Sequence, residues 1–264
     1  MKNLAQIDKV ILAAVTLSIV TIMAWLIFQK QSEVAVNQVP DTNDPFILGQ
    51  YYFNQGDSPS GAYDLEKARH YFTEAIETDP KGNSLSWYQL GRIDFLEGNF
   101  NAAIYKFKKQ QQYFDDDIPN VYYMLGLTYA YQARREEIPE NWSLAEENFK
   151  KYLDFFPDSP WARTDLSWIY FSQGKFEEMI PILEIGLVTE PDNPWLRNMY
   201  GLALLNTGKP EEADKQFIRA LEDAEKLTVE DWGKSYPGND PKIWDEGLSE
   251  FKAAIRNNLT LSER

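Results

Sequence analysis

Few residues of this chain could perform chemistry. Its 264 residues include no cysteine and a single histidine, His70. A thiol nucleophile, a disulfide, a thiolate metal site and an HExxH zinc site are therefore all excluded. His70 falls on a predicted helix, and we interpret its imidazole as an ordinary, partly exposed side chain.

The segment GLALLNTGKP (201–210) contains glycines that suggest a phosphate-binding loop. Gly201 and Gly208 are seven positions apart, however, and Pro210 stands where such a loop needs Ser or Thr. A phosphate loop places its glycines five positions apart and follows a strand. We therefore expect no nucleotide at this segment.

Three consecutive carboxylates, Asp115 to Asp117, could suggest a calcium site. The run lacks the alternating ligands and central glycine of a calcium loop, so we interpret it as the boundary between two helices. Asn141 and Asn258 begin glycosylation sequons, but so short a match is common by chance. We expect no catalytic residue, no metal and no cofactor, and we predict that the chain is not an enzyme.

The spacing of small residues predicts the elements that must position any binding site. Gly201, Gly208, Ala213, Phe217 and Ala220 are separated by steps of 7, 5, 4 and 3, and the segment from Gly91 to Gln110 repeats those steps. Apolar positions recur at three and four, and glycine lies between two such runs. The pattern predicts a pair of short helices that must stack on copies of itself to bury its apolar face.

This pattern resembles the tetratricopeptide repeat (TPR), a helix-turn-helix unit of about 34 residues. Five copies carry the motif residues, which are Leu48, Gly49, Tyr52, Ala68, Phe72, Ala75 and Pro80; Trp87, Leu90, Gly91, Gly98, Ala103 and Phe107; Leu125, Gly126, Tyr129, Ala145, Phe149 and Pro157; Leu166, Tyr170, Gly174 and Pro191; and Gly201, Gly208, Ala213, Phe217 and Ala220. The resemblance implies an all-α, right-handed superhelix over residues 42–227, with repeats at 42–83, 84–118, 119–159, 160–193 and 194–227.

Three departures from the motif carry structural expectations. Repeats one and three each hold seven extra residues between helix A and helix B. The extra stretch in repeat three could lengthen helix A, whereas that in repeat one is predicted to be a loop. Pro181, inside helix B of repeat four, predicts a kink or an interrupted first turn.

The N-terminal segment predicts a membrane anchor. Residues 10–28 are 19 positions without a charge, and a helix of that length spans about 28 Å, close to the hydrocarbon thickness of a bilayer. We interpret the segment as an uncleaved signal-anchor helix; a cleaved signal and a buried core helix are the alternatives. Residues 29–41 are expected to form a linker.

The charges on either side of this segment predict its orientation. Lys2, Lys9 and the terminal amine precede it, and Lys30 alone follows closely. This bias predicts a cytoplasmic N-terminus, residues 1–9, and an extracytoplasmic repeat domain, in a bacterial periplasm or outside the cell.

The net charge limits the class of partner. The formal charge is −15, from 41 acidic and 26 basic residues. Such an acidic surface would repel the phosphates of nucleic acids and of anionic lipid headgroups. We therefore expect that the chain binds no nucleic acid and that it contacts the lipid bilayer only through residues 10–28. The charge could favour a basic partner, or simply solvate the surface.

Residues 228–264 are predicted to close the stack. Trp244, Leu248, Phe251, Ile255 and Leu259 fall on one helical stripe. We interpret this helix as the cap that buries the last apolar face; a partner-binding helix is the alternative.

The resemblance also implies where a ligand binds, because A helices line the concave face of a TPR stack. The predicted groove residues are Phe46, Phe53, Tyr88, Arg92, Phe95, Tyr123, Leu127, Tyr131, Trp161, Trp168, Phe171, Trp195, Asn198 and Leu202. An aromatic concave surface is typical of a binding site. Alternatively, neighbouring helices, the linker or the C-terminal segment cover it.

The aromatic lining predicts the ligand class. Arg92 and Asn198 alone do not make the Lys/Asn/Arg clamp of chaperone-receiving TPR proteins. We therefore predict a membrane-anchored scaffold whose groove binds an apolar or aromatic peptide or helix of a protein partner, within an envelope assembly or another membrane-associated complex. The alternative is a cytosol-facing TPR receptor or co-chaperone.

Overall fold

The computed structural model describes residues 39–54, 63–113, 118–236 and 239–262, and these ranges contain helices and turns but no strand. The predicted all-α class is thus confirmed. Within these ranges, every helix is too short or too polar to span a bilayer. The predicted membrane helix, residues 10–28, lies outside the described residues.

Within the described ranges, ten α-helices follow one another in five successive pairs, and two more come after them. They are α1 (Pro45–Asn54), α2 (Leu65–Thr78), α3 (Ser84–Leu96), α4 (Phe100–Tyr113), α5 (Pro119–Arg135), α6 (Glu140–Phe155), α7 (Pro160–Ser172), α8 (Phe176–Thr189), α9 (Pro194–Asn206), α10 (Pro210–Ala224), α11 (Val229–Ser235) and α12 (Trp244–Ser262), with a 3₁₀ turn at Pro241–Ile243. The odd-numbered helices α1 to α9 are the A helices, and the even-numbered helices α2 to α10 are the B helices.

The chain divides into two compact units. The described part of the N-terminal unit comprises residues up to Tyr152 together with 233–242, and that of the C-terminal unit comprises 153–232 and 243–262. In the N-terminal unit α1 to α5 pack in sequence order, each on the next. In the C-terminal unit α7 to α10 do the same, and α12 then packs on α10.

Close approach of the two helices explains the recurring glycine within each pair. A Cβ atom on Gly91 would lie 2.6 Å from the ring of Phe107, and one on Gly201 would lie 2.5 Å from Phe217. Gly49 and Gly126 face Phe72 and Phe149 in the same way. Each ring is fully buried, so the glycine lets the helix backbone lie directly on an aromatic face.

Repeat four has a different pair of residues at the two equivalent positions. Ser167 occupies the glycine position and Leu183 the phenylalanine position, and both are fully buried. A smaller side chain on helix B therefore accompanies a larger one on helix A. This pairing keeps the filled volume similar, as dense core packing requires.

Glycine is also favoured in three of the turns between helices A and B. Gly98, Gly174 and Gly208 have φ of +78°, +71° and +80°, a left-handed conformation that strains any residue with a Cβ atom. In repeat three Glu137 takes a similar conformation, with φ of +55°.

The departures from the motif have different outcomes. Helix α5 is 17 residues long against 13 for α3, α7 and α9, so the extra stretch in repeat three lengthens helix A. The extra stretch of repeat one lies largely outside the described residues. Helix α8 continues through Pro181 from Phe176 to Thr189, so its first turn is not interrupted.

Candidate protein-binding surface

Most of the predicted groove residues are buried. The buried ones are Phe53, Tyr88, Arg92, Tyr123, Leu127, Trp168, Phe171, Trp195, Asn198 and Leu202. The half-buried ones are Phe46, Phe95, Tyr131 and Trp161. The half-buried residues are therefore the ones that a ligand could reach without rearrangement, and the binding role of the whole set stays a prediction.

Two of these accessible side chains form one aromatic surface in the N-terminal unit. The rings of Phe95 on α3 and Tyr131 on α5 meet edge to face, with centroids 5.0 Å apart. Phe100 supports both rings at 6.0 Å from each. Because α3 and α5 are consecutive A helices, the Phe95–Tyr131 pair joins two repeats into a single surface.

Arg92, three residues before Phe95, interacts with other side chains of the protein. Its guanidinium lies 4.3 Å from the ring centre of Phe53 and donates a hydrogen bond to Oε1 of Gln89 at 3.0 Å. Only 3% of the residue is exposed. A cation held over an aromatic face in this way stabilises the unit and is poorly placed to bind a ligand carboxylate.

Residues 233–242 belong to the N-terminal unit although they lie far from it in sequence. Tyr236 of this segment is buried. The pKa of Tyr63 is raised to about 12, first by burial and next by the negative charge of Asp240, against an opposing effect of Arg92. Residues 233–242 thus lie near Tyr63 within the N-terminal unit.

In the C-terminal unit, α11 and α12 cover the aromatic positions of repeat five. The ring of Trp195 stacks on Phe251 of α12 at 5.1 Å and lies 6.2 Å from Trp232 of α11. On its other side it meets Trp161 edge to face at 5.2 Å. Trp195 is therefore 7% exposed and acts as the centre of an aromatic core.

Helix α12 adds a polar contact that the apolar stripe did not predict. Trp244, Leu248, Phe251 and Ile255 are buried as expected for a cap, whereas Leu259 is half-buried. Asn258 takes the next buried position. Its side chain donates a hydrogen bond to Asn198, which lies 60 positions earlier. A search for apolar residues at helical spacing cannot identify Asn258, because its side chain is polar.

Two buried carboxylates were also missed by reasoning from the sequence. Asp94 on α3 pairs with Arg69 of α2 at 2.8 Å and with Lys106 of α4. Asp223 on α10 pairs with Lys226 at 2.7 Å, with Arg219 at 3.3 Å and with Arg197 of α9 at 3.8 Å. Each buried carboxylate thus pairs with at least one cation from a neighbouring helix, so we interpret both as structural ion pairs between packed helices.

The part of the chain that the structure describes contains no group of three or more acidic or histidine side chains that could hold a metal ion. The half-buried residues of the predicted groove in the N-terminal unit, Phe46, Phe95 and Tyr131, are all aromatic, and aromatic rings are suited to apolar contacts.

Comparison with solved structures identifies the fold. TTC0263, a thermophilic TPR protein of Thermus thermophilus, is 21% identical with a TM-score of 0.56, over 81% of this chain and 97% of that one. PilW, a type IV pilus biogenesis factor, is 17% identical with a TM-score of 0.55, over 83% and 97%. YrrB, a TPR protein with an unusual peptide-binding site, is 17% identical with a TM-score of 0.51, over 66% and 86%. The chain thus has the fold of TPR proteins.

No protein-family profile matches the chain, and no curated protein matches it either.

Proposed function

We propose that the chain is a membrane-anchored TPR scaffold that binds a protein partner through the A-helix surface of its N-terminal unit. The observation that carries the proposal is the Phe95–Tyr131 pair, two half-buried aromatic rings 5.0 Å apart on consecutive A helices. Exposed aromatic surface on a rigid scaffold usually marks a protein-binding site.

The contacts of the two polar residues in the predicted groove favour an apolar or aromatic peptide or helix as the ligand. Arg92 is held over Phe53, and the side chain of Asn198 is paired with Asn258. Neither polar residue is positioned to bind the carboxylate of an acidic C-terminal tail. A formal charge of −15 would also repel such a tail.

The solved structures add support by analogy. YrrB is described as having a peptide-binding site, and PilW as a pilus biogenesis factor. For this chain we propose a comparable role in which the repeats hold a partner within an envelope assembly. Fold likeness alone does not identify that assembly.

The location is proposed from the sequence. Residues 10–28 would span the bilayer, and the excess of Lys before this segment would place the repeats outside the cytoplasm. Protease treatment of intact cells or spheroplasts tests this orientation. Digestion of the repeats without lysis is expected, and protection until lysis would place them in the cytosol instead.

The partner-binding role is tested by crosslinking and co-purification of the full-length chain from its native membranes. The double variant Phe95→Ala/Tyr131→Ala should lose the main partner while its circular dichroism spectrum keeps the helical signal. The matched control is Tyr105→Ala, which removes a ring that is 55% exposed on helix α4 of the same unit. Retention of the partner by the double variant would overturn the proposed site.

A further inference from the structure

Helix α8 in the C-terminal unit carries an exposed apolar stripe that the proposed function does not use. Pro181, Ile185 and Val188 are spaced at i, i+4 and i+7, so they lie on one face of the helix. All three are exposed, Ile185 by 49% and Val188 by 82%. These are large apolar side chains left in water on a helix whose opposite face already packs into the core.

The other four B helices do not share this stripe. We align the five B helices on the buried residue that packs at the helix pair, which is Phe72, Phe107, Phe149, Leu183 or Phe217. In the other four helices, the positions equivalent to Pro181, Ile185 and Val188 hold other residue types. These are His70, Glu74 and Glu77; Tyr105, Lys109 and Gln112; Glu147, Lys151 and Asp154; and Lys215, Arg219 and Glu222. All except Tyr105 are charged or strongly polar, so the repeat itself does not require apolar residues at these positions.

Two of the other helices use these positions for ion pairs. Lys151 bonds Glu147 at 2.8 Å on α6, and Arg219 bonds Glu222 at 3.4 Å on α10. An exposed helix face normally carries such pairs. On α8 the same positions are apolar, which is the feature expected of a surface that becomes buried on binding.

The charges on helix α8 itself are all negative. Helix α8 contains Glu177, Glu178 and Glu184 and no basic residue. With 3.6 residues per turn, Glu177 and Glu184 lie on one side of the stripe and Glu178 on the other. All three are exposed, and Glu184 accepts a hydrogen bond from the Tyr200 hydroxyl at 2.9 Å.

We propose that this outer face of α8, defined by Pro181, Ile185 and Val188 with the flanking glutamates, binds a cationic amphipathic helix of a partner protein. The apolar side of that helix would cover the stripe, and its Lys or Arg side chains would meet the glutamates. A second copy of this chain fits less well, because it would bring glutamate against glutamate. Anionic lipid is disfavoured by the same repulsion.

The test uses the full-length chain with a photo-crosslinking residue at position 188, and at position 222 of α10 as the matched control. The probe is a biotinylated leucine–lysine peptide that is amphipathic as a helix, alongside a scrambled peptide of the same composition. We expect an adduct between position 188 and the amphipathic peptide only. Equal adducts at 188 and 222, or equal adducts with the scrambled peptide, would overturn the proposal.

Point variants separate the apolar and charged contributions to affinity. Ile185→Lys should weaken binding of the amphipathic peptide by about tenfold or more, as expected for loss of one buried aliphatic side chain. Ile218→Lys, at a residue 48% exposed on α10, should leave the affinity unchanged. Glu177→Gln/Glu178→Gln should weaken binding and reduce its salt dependence; unchanged affinity would contradict the cationic partner.

Two further outcomes identify other occupants. A crosslinked homodimer in place of the peptide adduct would assign the face to a second copy and overturn the proposed partner. Crosslinking to anionic vesicles in preference to the peptide would do the same in favour of a lipid surface. Because Phe95 and Tyr131 lie in the other unit, failure here leaves the test of the proposed function unaffected.

Discussion

The side-chain amide of Asn258 on α12 donates a hydrogen bond to Oδ1 of Asn198 on α9 at 2.9 Å, and both residues are buried. Asn198 occupies a position where the resemblance to TPR proteins implies a ligand. In the C-terminal unit, helix α12 therefore covers a position where the resemblance implies ligand binding.

Asn258→Ala tests how much this contact stabilises the fold. The variant leaves Oδ1 of Asn198 buried without its donor, which should lower the free energy of unfolding by about 1–3 kcal/mol. Urea denaturation followed by circular dichroism measures the change. The neighbouring, exposed Asn257 provides the control, and an equal effect of Asn257→Ala would show that the buried amide pair is not responsible.

Gly201→Ala should destabilise the protein, although helix propensity alone predicts the opposite. Alanine in a helix interior is favoured over glycine by about 0.5–1 kcal/mol, but its Cβ would lie 2.5 Å from the ring of Phe217. Overpacking of this kind costs about 1–3 kcal/mol. Thermal or urea unfolding gives the sign of the change, and a more stable variant would contradict the close packing.

The Ser167–Leu183 pair of repeat four suggests a compensating double variant at the same contact. Gly201→Ser combined with Phe217→Leu reproduces the pair at repeat five. The double variant should be more stable than the sum of the two single changes predicts, by about 1 kcal/mol, because the residues are in contact. Additive changes in the free energy of unfolding would contradict this expectation.

Glu137→Gly should stabilise the protein. Glu137 has φ of +55°, and a residue with a Cβ atom in the left-handed region is strained by about 1–2 kcal/mol. Part of that gain is lost because glycine makes the unfolded chain more flexible. Gly174→Ala is the converse control, since an added Cβ there meets no atom within 4 Å and its cost should reflect backbone strain alone.

Contacts that recur in every repeat can be predicted from the sequence, whereas contacts between distant segments cannot. The contact of Gly201 with Phe217 follows a repeating spacing, and a repeating spacing is visible along a single chain. The pairing of Asn258 with Asn198, and of Asp94 with Arg69 and Lys106, depends on which helix faces lie together. Hydrophobic periodicity carries no information about buried polar partners.

The burial of the predicted groove residues could not be predicted from the sequence for a related reason. The motif assigns Trp195 to a concave position, but the aromatic side chains of α11 and α12 that cover it belong to no repeat. Likewise, the packing of residues 233–242 in the N-terminal unit has no local signal in a turn-rich segment. Tertiary contacts between distant segments decide these positions.

Asp240→Asn should lower the pKa of Tyr63 from its value of about 12. Removing the neighbouring negative charge favours the phenolate, but the pKa should stay above 10 because burial is the largest cause of the shift. Titration of the Tyr63 resonance, assigned with Tyr63→Phe, measures it by NMR. An unchanged pKa would show that residues 233–242 do not lie near Tyr63.

The same shift predicts a change of stability with pH. The unfolded tyrosine loses its proton near pH 10, whereas folded Tyr63 keeps its proton until about pH 12. The contribution of this group to stability should therefore be complete below pH 10 and be lost between pH 10 and 12. In the Asp240→Asn variant, this stability should be lost over a narrower pH range, because the pKa of folded Tyr63 lies closer to that of the unfolded chain. Urea unfolding at each pH measures the free energy of unfolding.

Photo-crosslinking in native membranes tests the central claim most directly. One variant of the full-length chain carries a photo-crosslinking residue in place of Phe95. A second variant carries it in place of Tyr105 on the B helix α4. An adduct with one discrete partner protein is expected from position 95, and no such adduct from position 105. The same adduct from both positions, or none from position 95, would contradict that claim.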